Sequence, residues 1–227
     1  DMTLETIERF GVEIMYHEGD YSEFYVEGRQ QYRAVDYTIE SDWSAAAIIM
    51  VAAAIAGEVT IHNISTLSRQ ADTAICRALE RAGASLIIEE NSITVAHREL
   101  EAFTFDATQC PDLFPALVAL AAAADGVSTI YGIERLRGKE SDRGEVLKEE
   151  YEKLGIDIEL DYDENVMRVV GGKPHVAEVD SHDDHRIAMS LAVTALRLDE
   201  EVVIENKECV SKSYPSFFDD IESLRVK

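Results

Sequence analysis

Apolar and polar positions along the 227-residue chain alternate between two periods, and the alternation recurs. IERFGVEI, LERAGASLII and YEKLGIDIEL each end a helix-like pattern with a glycine and continue into a strand-like one. Ile75, Leu79 and Ala82 precede one of these glycines at helical spacing; Val146, Tyr151 and Leu154 precede another. The glycines are Gly11, Gly83 and Gly155, 72 residues apart each time. Glycine suits the left-handed residue that stops a helix before a strand. Beyond each glycine a polar turn leads to a second strand (YSEFYVEG, NSITVAH, NVMRVVGG), which predicts hairpins.

A second element is interleaved with the first. Ser41–Ile64, Cys110–Ile133 and Ser181–Asn206 share a polar, acid-bearing lead, then a small-residue helix, a turn and a strand. These helices are apolar nearly all round, so each should be buried on most sides, and alanine lets them pack closely. The repeating unit is buried helix, strand, loop, amphipathic helix, strand, turn, strand. It runs complete from Ser41 and from Cys110, and a third copy ends early at Lys227. The expected fold is therefore α/β, with helices inside and sheets outside. Residues 1–39 read as the tail end of one domain and residues 40–227 as the next. On this reading the chain is a processed or excised piece, and its opening residues belong with a segment outside it.

Composition narrows the function. The net charge is −24, from 21 lysines and arginines against 45 acids, which disfavours nucleic acid and acidic membrane surfaces as partners. The longest apolar run, Ala45 to Gly57, is too short to span a bilayer. Cys76, Cys110 and Cys209 are odd in number and scattered, which fits free thiols in a reducing cytoplasm.

Scarce cations make local clusters of them informative. Lys139, Glu140, Asp142 and Arg143 crowd the start of one amphipathic helix. Acids belong at a helix N-terminus because the macrodipole is positive there; a lysine and an arginine make sense if an anion binds between them. Arg186 repeats the pattern at the start of another helix, and Lys212 precedes a third. Asp42, Asp112 and Asp184 occupy equivalent leads and could be N-caps. Asp112, after Cys110 and Pro111, is equally open to acid–base work. In SHDDHR, His182, Asp183, Asp184 and His185 offer metal-ligating groups, but no third ligand motif accompanies them and no metal is expected. GKES at Gly138–Ser141 lacks the glycine and the Ser or Thr that a phosphate loop needs. The residues alone imply a small polyanion, bound by Lys139, Arg143, Arg186 and Lys212, with Asp112 and Glu140 as proton carriers.

CPDLFPALVALAA, LRGKESDR, DHRIAM and KSYPSFF, in that order, resemble the 5-enolpyruvylshikimate-3-phosphate synthase family, the 3-phosphoshikimate 1-carboxyvinyltransferases of aromatic amino-acid and chorismate biosynthesis. The resemblance covers the whole chain, from the end of the family's N-terminal domain through its C-terminal lobe. It implies domains of repeated βαβαββ units closing around the substrates, shikimate-3-phosphate and phosphoenolpyruvate. It further implies Asp112 as base at the 5-hydroxyl, Glu140 in proton transfer at the methylene carbon, and Lys139 touching both substrates. Arg143, Arg186 and Lys212 would hold the phosphate and carboxylate of phosphoenolpyruvate, with His185 supporting that anion site. No metal or organic cofactor is implied; the partner implied is the N-terminal half of the same enzyme. Gly138 departs from the valine common in the family, and Arg135 from an asparagine that contacts shikimate-3-phosphate in some members. Two other readings stand beside it: the related UDP-N-acetylglucosamine enolpyruvyl transferases, which KESDR followed by DHRIAM disfavours, and a non-catalytic interaction module.

Overall fold

The computed structural model describes residues 1–17, 19 and 21–224. The chain divides into two compact units, one of Asp1–Glu40 with Leu67–Gln70, the other of Ser41–Thr66 with Ala71 onward. In the first unit, helix α1 (Met2–Arg9) is followed by the antiparallel hairpin of β1 (Ile14–Tyr16) and β2 (Phe24–Val26). This is the helix–strand–strand back end of the repeat.

The second unit holds the copies. The first is α2 (Trp43–Ala56), β3 (Glu58–His62), α3 (Ile75–Arg81), β4 (Ser85–Ile88) and β5 (Ser92–Ala96). The second is β6 (Thr104–Asp106), α4 (Phe114–Ala123), β7 (Val127–Tyr131), α5 (Arg143–Lys153), β8 (Ile158–Asp161) and β9 (Val166–Val170). The third is β10 (Glu178–Asp180), α6 (His185–Ala195), β11 (Val203–Glu205) and α7 (Phe217–Leu224). Sequence patterning passes over β6 and β10, three-residue strands that have no hairpin partner next to them in the chain. Each pairs in parallel with the strand after the buried helix, β6 with β7 and β10 with β11, which makes the second copy βαβαββ. Its sheet has the order β6-β7-β9-β8, and that of the first copy β3-β5-β4.

Interior helices form as their composition demands. Eleven of the fourteen residues of α2 are buried, nine of ten in α4 and eight of eleven in α6, and the three pack on one another. Alanine on all sides of α2 and α4 lets their backbones come close, and the longer side chains Met50, Leu117 and Ile187 are fully buried. The amphipathic helices end as the glycines predict. Gly11, Gly83 and Gly155 have φ of +82°, +83° and +79°. In each copy the residue after the glycine donates back to the fifth residue before it: Val12 to Ile7, Ala84 to Leu79 and Ile156 to Tyr151. That is the Schellman closure, in which a side chain at the left-handed residue would be strained. Among the described residues no helix is long and apolar enough to cross a membrane.

Candidate functional site

The packing of α4, α5 and α6 gathers their N-terminal ends, and the polar leads ride on those ends. Asp112 lies in the 3₁₀ turn Pro111–Leu113 that opens α4, and its side chain caps nothing there. Lys139, Glu140 and Ser141 are in the loop before α5, whose first residue is Arg143. Asp184 is the N-cap of α6 and accepts the amide of Arg186 at 3.0 Å. Lys212 closes the 3₁₀ segment Lys207–Lys212.

Arg143 is the hub. The buried stripe of α5 runs Arg143, Val146, Leu147, Glu150 and Tyr151, so the helix carries a guanidinium into the core at its first turn. With its side chain 1% exposed, the cation must be matched by acids, and it is. Nε donates to Asp184 Oδ2 at 2.8 Å, Nη1 to Asp112 Oδ1 at 2.7 Å, and Nη2 to Glu140 Oε2 at 2.6 Å and Asp184 Oδ1 at 3.3 Å. Asp184 is fully buried, takes a bidentate grip, and also accepts from Ser141 at 3.2 Å. Asp112 and Glu140 are the more exposed partners, at 38% and 40%. The fork of one guanidinium thus holds two accessible carboxylates side by side. Lys139 adds a contact to Asp112 Oδ1 at 3.3 Å; Arg186 reaches Asp112 Oδ2 at 3.5 Å and its carbonyl at 3.3 Å.

Charge sets the protonation states. Burial acts to raise the Asp112 carboxyl, but Arg186, Arg143 and Lys139 overcome it and hold the group below the ordinary carboxylate range. Asp184 follows the same balance, with burial opposed first by Arg143 and then by the Arg186 amide. Arg143 is pushed up: desolvation works against its charge, and Asp184, Glu140 and Asp112 outweigh that cost. Burial, then Arg186, pushes His185 down, so its imidazole favours the neutral form, and its buried Nδ1 has no hydrogen-bond partner.

Lys212 stands one step away. It donates to the Asp183 carbonyl at 2.7 Å and pairs with Asp183 Oδ2 at 2.8 Å. The SHDD turn explains the offset: His182 and Asp183 have φ of +50° and +58°, and successive side chains leave in different directions. His182 Nε2 meets Glu150 Oε1 at 2.8 Å, Asp183 meets Lys212, and Asp184 meets Arg143. Lys139, Glu140, Arg143, Asp112 and Arg186 therefore form one contact network, joined to Lys212 through the Asp183–Asp184 peptide.

Glu149, Glu150 and His182 are close enough together to suit a metal. Glu150, however, already accepts from Lys153 at 2.7 Å and from the Asp180 amide at 2.9 Å, so a cation is in place. Sequence reasoning missed the bond from Asp184 to Arg143. The available signal was the register of α5, which puts Arg143 in line with Val146, Leu147 and Tyr151 and so requires a buried acid.

Residues 1–221 match the family model of EPSP synthase, 3-phosphoshikimate 1-carboxyvinyltransferase. The chain belongs to the EPSP synthase family. Among its relatives, a 3-phosphoshikimate 1-carboxyvinyltransferase of Clostridium perfringens is 42% identical over 99% of this chain and 52% of its own length. One of Clostridioides difficile is 40% identical over 99% of this chain and 51% of its own length. The solved EPSP synthase of Acinetobacter baumannii superposes with a TM-score of 0.85 at 29% identity, covering 98% of this chain and 54% of that one. The enolpyruvyl transferase NikO of Streptomyces tendae, 20% identical with a TM-score of 0.73, shares the fold. The chain spans about half the length of the curated relatives it matches. Membership in the EPSP synthase family favours the shikimate reading over the UDP-N-acetylglucosamine enzymes.

Proposed function

We propose that this chain supplies one wall of the active site of a 3-phosphoshikimate 1-carboxyvinyltransferase, which moves the carboxyvinyl group of phosphoenolpyruvate to the 5-hydroxyl of shikimate-3-phosphate and releases phosphate. The observation that carries the reading is the Arg143 fork, which sets Asp112 and Glu140 side by side with Lys139 and Arg186 at their edge. Addition needs a proton removed from the hydroxyl and a proton given to the methylene carbon; elimination needs that carbon deprotonated as the C–O bond to phosphate breaks. Two carboxylates on one guanidinium suit these two tasks, Asp112 at the hydroxyl and Glu140 at the methylene carbon.

A base needs basicity, and Asp112 caged by three cations has little. An incoming phosphate or carboxylate competes for Lys139 and Arg186, and their partial withdrawal raises the affinity of Asp112 for a proton. Binding the anion thereby switches on the base. Lys139, Arg186 and Lys212 are the anion ligands in this reading, with neutral His185 beside them. Arg143, engaged by three carboxylates, mainly spaces the proton carriers and contacts an anion only by exchanging one of them. The chemistry calls for no metal or organic cofactor.

The partner required is the half of the relatives' length that this chain does not span, whether joined to it or separate; nucleic acid and membrane do not enter. Free thiols (Cys76, Cys110 and Cys209) fit a cytoplasmic setting. An open wall is screened by water, whereas a closed cleft strengthens each contact and orders both substrates, effects worth roughly 7–11 kcal/mol of barrier. The test is release of inorganic phosphate with both substrates present. The 227 residues alone should show none, and addition of the N-terminal half of a relative should restore it. Turnover by the chain alone would contradict the half-site reading; none with the other half would contradict the functional one.

A further inference from the structure

Asp72 is a buried carboxylate that the chemistry above leaves unused. It is 6% exposed and lies in the 3₁₀ turn Ala71–Ala74 that leads into α3. Its Oδ2 accepts a short hydrogen bond from the Ser44 hydroxyl, in the first turn of α2. Ser44 in turn lines a crevice with Asp112, Leu113, Pro115, Arg186 and Met189. The crevice holds only about 10 Å³, the room of roughly one water, too little for a substrate to enter it. Whatever the pair does, it does through the neighbours that share the crevice, and of these Arg186 and Asp112 carry charge.

Hydroxyl chemistry sets the direction. A serine has one proton to donate and two lone pairs to accept with, and an ionised carboxylate can only accept. With its proton committed to Asp72, the Ser44 oxygen presents lone pairs to the crevice, where the guanidinium of Arg186 is a donor. We infer that Ser44 and Asp72 are a positioning pair for Arg186, the buried carboxylate orienting the hydroxyl and adding a second negative charge near the guanidinium besides that of Asp112. This rests on the proposed role of Arg186 as an anion ligand. Burial leaves Asp72 raised overall, with Ser44 and the charge of Arg186 drawing it down and Asp112 and Asp42 pushing it up. Arg186 therefore lies within the field of Asp72.

The test is side-chain NMR of Arg186 in the intact chain, with inorganic phosphate as probe. Asp72→Asn keeps an acceptor for Ser44 and removes only the charge. It should shift the Arg186 Nε resonance, speed exchange of its proton, and tighten phosphate binding about threefold to tenfold as one opposing charge is lost. A merely structural role would lower the melting midpoint and weaken phosphate binding. Ser44→Ala should also move the Arg186 resonance, and Ser44→Thr, which keeps the hydroxyl, should not. An unchanged Arg186 signal and phosphate affinity in Asp72→Asn would overturn the inference. If that variant does not fold, identical Arg186 spectra for Ser44→Ala and Ser44→Thr would do so. Lack of turnover with the other half supplied would sink the proposed function and leave these spectra as they are.

Discussion

Asp42 and Asp112 begin the buried helices of successive copies of one repeat, and the molecule uses them differently. Asp42 turns back on its own helix, accepting the amides of Ser44 at 2.8 Å and Ala45 at 3.3 Å. Asp112 caps nothing and faces Arg143, Lys139 and Arg186. The difference lies in what precedes and surrounds each acid. Asp112 sits inside a separate 3₁₀ turn, Pro111–Leu113, and the residue three further on is Pro115, which has no amide proton to offer it where Ala45 offers one to Asp42. Asp184, in the third copy, does both jobs: it caps α6 through one oxygen and grips Arg143. One position in a repeat thus spans a capping acid, one turned to the cation cluster and a bridge between them.

Substitutions can break this comparison, and the largest effect belongs to Asp112. In the enzyme restored with its other half, Asp112→Asn should lower turnover by about 10²- to 10⁴-fold while substrate binding changes far less; phosphate release measures both. Asp184→Ala leaves the Arg143 charge in the core short of its bidentate partner and should cost about 3–5 kcal/mol of stability, read by urea unfolding.

Acid sharpens the contrast. The folded-state affinities of Asp112 and Asp184 for protons are depressed, so their contribution to stability is complete above the unfolded carboxylate pKa of about 4. As pH falls through and below that value the unfolded state takes up protons first, and the contribution is lost. The melting midpoint of the chain should drop steeply there, and the drop should be shallower in Asp184→Asn. A drop of equal steepness would separate the hub from the acid response.

The smallest effect is that of Asp42→Ala, about 1 kcal/mol for a lost cap, with turnover of the restored enzyme retained. A turnover loss as large as that of Asp112→Asn would erase the distinction between the two leads.

Much of this was legible in the chain. Helical spacing before Gly11, Gly83 and Gly155 marks three Schellman ends, because only a residue free to turn left-handed closes a helix that way. Alanine on every face of α2 and α4 identifies the interior layer. β6 and β10 were not legible, since each pairs in parallel across a helix, a tertiary event, and lacks the adjacent hairpin partner that marks other short strands. Lys139, Glu140, Arg143, Asp112 and Arg186 stand out as scarce cations and acids at helix starts. Which acid answers which cation depends on the convergence of α4, α5 and α6, and nothing local encodes it. Lys212 shows the limit: its partner Asp183 is set by a left-handed turn at His182 and Asp183, residues for which that conformation is uncommon.

The most direct measurement is the carboxyl ¹³C titration of Asp112, with and without phosphoenolpyruvate. In the free chain its pKa should lie below the ordinary carboxylate range, and it should rise as the anion draws Lys139 and Arg186 away. An ordinary pKa that phosphoenolpyruvate leaves unmoved would contradict the account of the base.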